Sequence, residues 1–187
     1  MTDYNVQPLV EVRRDYLANS TTALPLGGFI CWTAFALAAF AFGTELPPFA
    51  PYVAAAAPVP LAMAIDKLRG DPGLRAESRK NPVTQLFMRF IFVVGLLLPF
   101  VIIAAKAAGD PHLLTLGVAI LAGLVWVPHG WGADDQSGFI HFLLRTIACY
   151  AAYLLSPETL QTAAIAAAVA ISYIYAVLAM KKPASAR

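Results

Sequence analysis

The feature that most constrains this chain is a series of six long apolar segments, separated by short polar stretches, along its 187 residues. A membrane-spanning helix needs about 20 predominantly apolar residues, with about 17–25 as the usual range. The segments therefore predict an all-α polytopic membrane helix bundle that forms one domain over residues 1–187. We expect six transmembrane helices, at about residues 23–43, 49–65, 84–105, 113–127, 138–155 and 159–180.

The scarcity of charge agrees with that prediction. Charged residues make up 13% of the chain and hydrophobic residues 59%, whereas soluble domains carry roughly 25% charged and 45–50% apolar residues. This composition excludes a water-facing globular surface and predicts the lipid bilayer as the main partner. The net charge of +2 and the lack of a basic cluster with interleaved aromatic residues give no indication of nucleic-acid binding.

The basic residues predict an orientation, because cytoplasmic loops carry an excess of Lys and Arg. With six spans and a cytoplasmic N-terminus, the C-terminus is also cytoplasmic. The loops on the opposite side then contain Lys106 as their only Lys or Arg residue. The basic loop at residues 67–80 is then expected to attract anionic lipid headgroups. The cations on the predicted cytoplasmic side are Arg13, Arg14, Lys67, Arg69, Arg75, Arg79, Lys80, Lys181, Lys182 and Arg187.

The segment before the first span predicts a further helix. Between Pro8 and Ala18, the residues Leu9, Val12 and Tyr16 follow helical spacing, and the charged residues lie off that face. This pattern is typical of an amphipathic helix at the cytoplasmic membrane interface. The first apolar run, which begins near Ala23, exceeds the about 7–15 apolar residues of a signal-peptide core, so we expect it to be a retained span.

Charge inside a predicted span is the best pointer to function. A central Arg costs about 2.5–3.5 kcal/mol on insertion scales, so such residues usually face the interior of a bundle. Arg145 lies seven residues into the fifth span from Gly138, about 10 Å deep at about 1.5 Å per residue. His141 precedes it by four residues and projects from the same helix face. Arg89 lies five residues into the third span, where its long side chain can still reach the headgroups.

A guanidinium group inside a bundle requires oxygen acceptors. The candidates are Asp66, which ends the second span, and Asp134 and Asp135, which precede the fifth. An Asp–Arg pair or a bound anion would each satisfy Arg145. A binding role and a purely architectural ion pair between helices are both open on the sequence alone.

The stretch VWVPHGWG at residues 125–132 predicts a helix end and a tight turn at the membrane interface. Pro128 and the two glycines favour the turn, and Trp is enriched at such interfaces. His129 and Trp131 are further candidate binding residues. His129 and His141 lie near two Asp residues, but no recognised ligand spacing is present, so we expect no metal site.

Signatures of enzyme chemistry are missing from the sequence. It contains no Ser nucleophile elbow, no Gly-rich phosphate loop and no paired-carboxylate motif, so we expect no catalytic residue and no cofactor. Cys31 and Cys149 sit in apolar segments, where free Cys behaves as a small hydrophobic residue. The sixth span is rich in Ala, which suits close helix packing within the bundle or in a dimer.

Several short motifs also occur in a characteristic order. An E-x-R-R-D-Y leader precedes a Pro-Leu-Gly-Gly-Phe start to the first span, followed by D-K-L, N-P and P-H-G-W motifs. In this order the chain resembles, from about Val10 to Tyr175, a family of small bacterial integral-membrane proteins of unknown function. The resemblance implies six helical spans and a multi-pass location in the bacterial inner membrane. It carries no activity and no site residues.

The function predicted from these residues is that of a small transporter, permease or channel-like protein for a small solute or ion. The candidate binding residues are Arg145, His141, Arg89, Asp66, His129, Trp131, Asp134 and Asp135. The alternative is a non-catalytic scaffold or regulatory subunit, which implies a homo-oligomer or a membrane partner. An intramembrane enzyme is a third class, and the sequence favours it least.

Overall fold

The computed structural model describes residues 7–71 and 76–182, and within those ranges it contains helices and no strand. Arg75 and Arg187, which contribute to the predicted charge asymmetry, lie outside the described residues. The helices are α1 (Leu9–Ala18), α2 (Leu24–Phe42), α3 (Ala50–Ala56), α4 (Pro58–Arg69), α5 (Pro82–Ala108), α6 (Pro111–Leu124), α7 (Trp126–Gly132), α8 (Ser137–Leu155) and α9 (Gln161–Ala179).

Five helical segments are long and apolar enough to cross a membrane, which indicates a multi-pass membrane protein and confirms the all-α class. They are Leu24–Phe42, Pro82–Ala108, Pro111–Gly132, Ser137–Leu155 and Glu158–Ala179. The second of the six spans expected from the sequence corresponds to α3 and α4, of 7 and 12 residues. Neither is long enough to span a bilayer, so the sixth span stays a prediction.

Local chemistry explains where the helices begin and end. The Asn81 side chain accepts hydrogen bonds from the first turn of α5, at 2.9 Å from the Val83 N–H, and Pro82 occupies the first helical position. Asp110 caps α6 in the same way, at 2.8 Å from the N–H of His112. Gly109 ends α5 with a φ of 65°, a left-handed conformation that glycine adopts without steric cost.

The structure corrects the expectation for residues 125–132. They form helix α7, which continues α6 past a bend at Val125, instead of a helix end and tight turn. Pro128 lies in the first turn of α7, where a missing N–H does little harm. Gly130 serves close packing: a Cβ there would lie 2.6 Å from the Asp135 carbonyl oxygen and 3.1 Å from the Cα of Gly138 in α8.

The core of the bundle lies around α9, which packs against α2, α8 and α6. The small residues of α9 allow neighbouring helices to approach closely. Ala166 and Ala170 are buried in the core, so these small residues pack within the bundle. Gly28 of α2 lies directly against the Tyr173 ring of α9, since a Cβ at residue 28 would come within 2.3 Å of that ring. This contact sets the spacing between α2 and α9.

The predicted N-terminal helix is present as α1, but its buried apolar residues pack against the bundle and not against lipid. Val12 and Tyr16 are buried against Val83 of α5 and Ala133, whereas Leu9 is 51% exposed. The Asn81 side-chain amide donates to the Val12 carbonyl oxygen at 2.9 Å and fixes the helix to the start of α5. The face predicted to lie on the bilayer is therefore largely occupied by the bundle, and a position at the membrane interface stays a prediction.

Candidate functional site

Arg145 and His141 lie in the centre of the bundle on the side of α8 that faces α9, and both are 0% exposed. The Arg145 Nη1 donates a hydrogen bond to the Tyr173 hydroxyl at 3.2 Å. Its Cζ also lies 5.1 Å from the centre of the Trp32 ring and 5.4 Å from that of Tyr173. Both distances permit a cation–π interaction, which stabilises a guanidinium charge without neutralising it.

The space beside Arg145 depends on Gly123 of α6. A Cβ at residue 123 would lie 2.9 Å from the Arg145 Cδ and 3.1 Å from its Nε. Any larger side chain would therefore displace the guanidinium group. Cys149, one turn further along α8, is also fully buried and belongs to the same hydrophobic core as Trp32 and Tyr173. We call Trp32, Trp126, His141, Arg145 and Tyr173 the Arg145 cluster.

The three carboxylates considered as partners for Arg145 each bind other groups, so of the two possibilities left open by the sequence, the Asp–Arg pair is not formed with any of them. Asp66, which is 1% exposed, accepts from the backbone N–H groups of Thr22 and Ala23 at 3.0 and 2.9 Å, just before α2 begins. Asp134 pairs with Arg13 at 2.9 Å.

Asp135 joins the end of α9 to the segment that precedes α8. It accepts from the backbone N–H groups of Ser137 and Lys181, at 2.9 and 2.7 Å. Burial raises the pKa of Asp135, but the hydrogen bonds from Lys181 and Ser137 outweigh it, and the pKa lies below its ordinary value. This carboxylate therefore fastens the end of α9 to the start of α8.

Part of Arg145 has no hydrogen-bond partner. Its Nε and Nη2 are buried and contact no acceptor among the described residues. Leaving a buried donor unsatisfied costs about 1–3 kcal/mol, and more when the group is charged. A buried cation without a carboxylate is therefore an unfavourable feature, and it marks this position as the candidate binding site.

His141 has one engaged and one unengaged ring nitrogen. Its Nδ1 lies 3.1 Å from the Ser172 carbonyl oxygen, so Nδ1 carries the proton and donates. Nε2 is buried and has no partner among the described residues, and in the neutral ring it is an acceptor. The ring centre lies 5.4 Å from that of Trp126 and 5.0 Å from that of Tyr173. His141 and Arg145, which both have unsatisfied nitrogens, thus both lie against the Tyr173 ring.

Two cavities approach the cluster from opposite ends of the bundle. The first, of about 200 Å³, is lined by Trp126 and His129 together with Arg69, Lys181 and Lys182. The second, of about 340 Å³, lies at the other end and includes Phe35, whose ring centre is 5.9 Å from that of Trp32. Along α2, Leu26 of the first cavity and Phe35 of the second are separated by about 14 Å of helix.

The remaining candidate residues belong to the α1 contact or to the surface. The Tyr16 hydroxyl and His129 Nδ1 are 2.8 Å apart, and burial raises the pKa of Tyr16. Arg13 stacks on Trp131 at 4.5 Å. Arg89 is exposed on α5, a helix that packs on α1, α6 and α7. The structure therefore separates Arg89 and Trp131 from the Arg145 cluster.

Sequence reasoning missed the aromatic and glycine residues that surround Arg145. Trp32 and Tyr173 have the pattern of ordinary span residues, since nothing local links them to a cation more than 25 residues away in sequence. The pair Gly27–Gly28 is the signal that could have indicated a close helix contact in α2. In the described part of the chain, no group of three or more His, Cys, Asp or Glu residues is arranged to hold a metal ion.

Comparison with known proteins identifies a family. A family model described as "Family of unknown function (DUF7010)" matches residues 10–182, a range that begins at the same residue as the resemblance seen in the motifs. No curated protein matches the chain. No solved structure matches it either.

Proposed function

This chain belongs to the DUF7010 family of unknown function, and we propose that it is a small transporter or channel-like membrane protein for a small anionic solute. Arg145 is the central binding residue and His141 lies beside it in the same site. The observation that carries the proposal is the full burial of a guanidinium group whose Nε and Nη2 have no partner in the described part of the chain.

The first argument is the charge balance at the centre of the bundle. A buried Arg is normally paired with a carboxylate, because removing one partner of such a pair costs about 3–5 kcal/mol. Here the carboxylates of Asp66, Asp134 and Asp135 all bind groups other than Arg145. An anionic solute would supply the missing negative charge, and its binding energy would offset the cost of keeping Arg145 in the core.

The second argument is the placement of the cavities. Trp126 lines the first cavity and touches His141, while Phe35 lines the second and touches Trp32, which in turn stacks on Arg145. The Arg145 cluster therefore lies between two openings at opposite ends of the bundle, with an aromatic side chain on each side. Alternating access requires a central binding residue that can be reached from cavities at both ends of the bundle.

The third argument is the charge of the first cavity. It is lined by Arg69, Lys181 and Lys182, and no Asp or Glu is among its described lining residues. A cleft of one charge sign raises the local concentration of the opposite ion. This cavity would therefore favour anions on the side that the basic loops predict to be cytoplasmic.

Anion-dependent flux in proteoliposomes tests the proposal. Vesicles containing the wild-type chain are compared with protein-free vesicles in a series of potassium salts. The K⁺ ionophore valinomycin lets the counter-ion move with the anion, and light scattering follows the osmotic volume change. We expect Arg145→Gln to abolish the protein-dependent flux, and Arg89→Gln, which also removes one cation from a long apolar helix, to leave it intact. A flux that is unchanged in folded Arg145→Gln protein would refute the proposal.

One observation favours the scaffold alternative. Of the 27 residues of α5, only Val83, Val94 and Ala105 are buried, and the exposed residues include Arg89 in addition to large apolar side chains. Such a surface can receive another membrane helix. A partner or second copy that co-purifies in mild detergent and is released by Arg89→Gln would support this alternative, whereas a monomer without such a contact counts against it.

A further inference from the structure

The hydrogen-bond pattern of Arg145 carries information about the shape of its ligand. A guanidinium group has five N–H donors in a fixed plane. The Nη1 corner is occupied by the Tyr173 hydroxyl, and the two atoms without a partner among the described residues are Nε and Nη2. These two atoms form one edge of the guanidinium plane, where the Nε–H bond and one of the two Nη2–H bonds point in parallel toward the same side. The unsatisfied atoms thus present one matched pair of donors along this edge.

A parallel pair of N–H donors fits a group with two oxygens in one plane. Arginine binds carboxylates in this bidentate way, and such pairs are stronger and more directional than a contact with a point charge. A halide ion is a single atom, so it cannot lie directly in line with two parallel N–H bonds at once, and both hydrogen bonds to it are bent. The free edge thus favours an oxyanion over a spherical anion of the same charge.

The neighbours of this edge limit the size of the ligand. Gly123 lies beside it, and a Cβ there would be only 3.1 Å from Nε. Trp32 and Tyr173 stack near the guanidinium, and both are nearly fully buried, at 0% and 4% exposure. A ligand at this edge must therefore be flat and have few atoms beyond its two oxygens.

On these grounds, and resting on the function proposed above, we infer that the solute bound at Arg145 is a small planar oxyanion of the carboxylate class, held side-on by the Nε and Nη2 edge. His141 Nε2, an unengaged acceptor one turn away on the same face, can receive a hydrogen bond from a ligand that also carries a hydroxyl group. The site thus combines two donors for the oxyanion with one acceptor for a neighbouring hydroxyl.

The test compares sodium formate with sodium chloride as probes of the purified full-length chain in detergent. Each salt is titrated at the same concentrations, so that ionic strength is matched, and binding is followed by the shift in thermal unfolding that a ligand of the folded state produces. We expect formate to half-saturate at a concentration at least about tenfold lower than chloride, as the bidentate contact predicts. Equal or tighter binding of chloride overturns the inference but leaves the proposed anion site standing. No response to either salt overturns both.

Arg145→Lys separates charge from geometry, because a lysine keeps the cation and lacks the planar donor edge. In this variant we expect the preference for formate over chloride to fall to about twofold or less, while chloride still stabilises the protein. A full preference that survives in Arg145→Lys contradicts the inference.

Gly123→Ala provides a second variant if the lysine protein does not fold. Its Cβ narrows the space at the guanidinium edge, and we expect formate binding to weaken by about tenfold. Gly95→Ala is the matched control, since a Cβ at residue 95 meets no atom within 4 Å. Unchanged formate binding in Gly123→Ala would overturn the side-on geometry.

Discussion

Replacing Arg145 by an apolar residue is expected to make this protein more stable while it removes the anion site. The variant that shows this is Arg145→Met combined with Tyr173→Phe. Methionine keeps much of the length of the arginine stem, and phenylalanine removes the hydroxyl whose partner in the structure is Arg145. The double substitution therefore leaves no new unsatisfied donor at this position.

The magnitude follows from the contacts of Arg145. The buried Nε and Nη2 each cost about 1–3 kcal/mol when they have no partner. Against this, the wild type gains a charge-assisted hydrogen bond of about 1.5–3 kcal/mol and two cation–π contacts of about 0.5–2 kcal/mol each. These terms nearly cancel, so the remaining desolvation of the charge decides the sign. Replacement of buried ionic groups by apolar residues stabilises proteins by about 1–4 kcal/mol.

The assay is reversible unfolding in mixed micelles, followed by tryptophan fluorescence, in a buffer without carboxylate anions. We expect the double variant to unfold at higher denaturant than the wild type, and sodium formate to stabilise only the wild type. Tyr173→Phe alone serves as the control, since it leaves Arg145 with a third unsatisfied group and should destabilise. A double variant that is less stable than the wild type by more than about 2 kcal/mol would refute the reasoning, because Arg145 would then be an architectural residue.

Three further predictions concern the elements around the site. Gly28→Ala places a Cβ 2.3 Å from the Tyr173 ring and should lower the free energy of unfolding by about 1–3 kcal/mol, whereas Gly95→Ala, which meets no atom, should have little effect in the same unfolding assay. Asp66→Ala leaves two backbone N–H groups without their acceptor, and we expect a loss of about 1–3 kcal/mol per group, measured by the same method. The pKa of Asp135 lies below its ordinary value of 3.8, so its contribution to stability is present near pH 7 and is lost as the pH falls below that value. Thermal unfolding should show the difference between the wild type and Asp135→Asn shrinking between about pH 5 and about pH 2, and a constant difference would contradict this.

The sequence was sufficient for the features that depend on local pattern. Apolar run length predicts the long helices, and the four-residue spacing of His141 and Arg145 places them on one face of α8, where the structure indeed has both buried. The expectation for α7 was wrong because Pro128 and the glycines look the same in a turn as in a helix that approaches a neighbour closely. Only the three-dimensional contact between Gly130 and Gly138 distinguishes a closely packed helix from a turn at these residues.

The surroundings of Arg145 depend on long-range packing and could not be predicted in this way. Three Asp residues are suitable acceptors by their position along the chain, but Asp66 binds the backbone at the start of α2 and Asp134 binds Arg13. The aromatic residues that do contact the guanidinium come from α2 and α9, at the two ends of the sequence. A single sequence does not tell which apolar faces meet across a bundle, so these contacts require the structure.

The docking of α1 has a consequence for the order in which this protein can be assembled. The partners of α1 are all made much later: Asn81 is 69 residues beyond Val12, and His129 is 113 residues beyond Tyr16. During synthesis α1 leaves the ribosome before any surface exists to receive it, and it reaches its final place only after α7 has been made. Helix α1 is thus made early and fixed late, because its docking at the His129 end of the bundle must wait for α5 and α7.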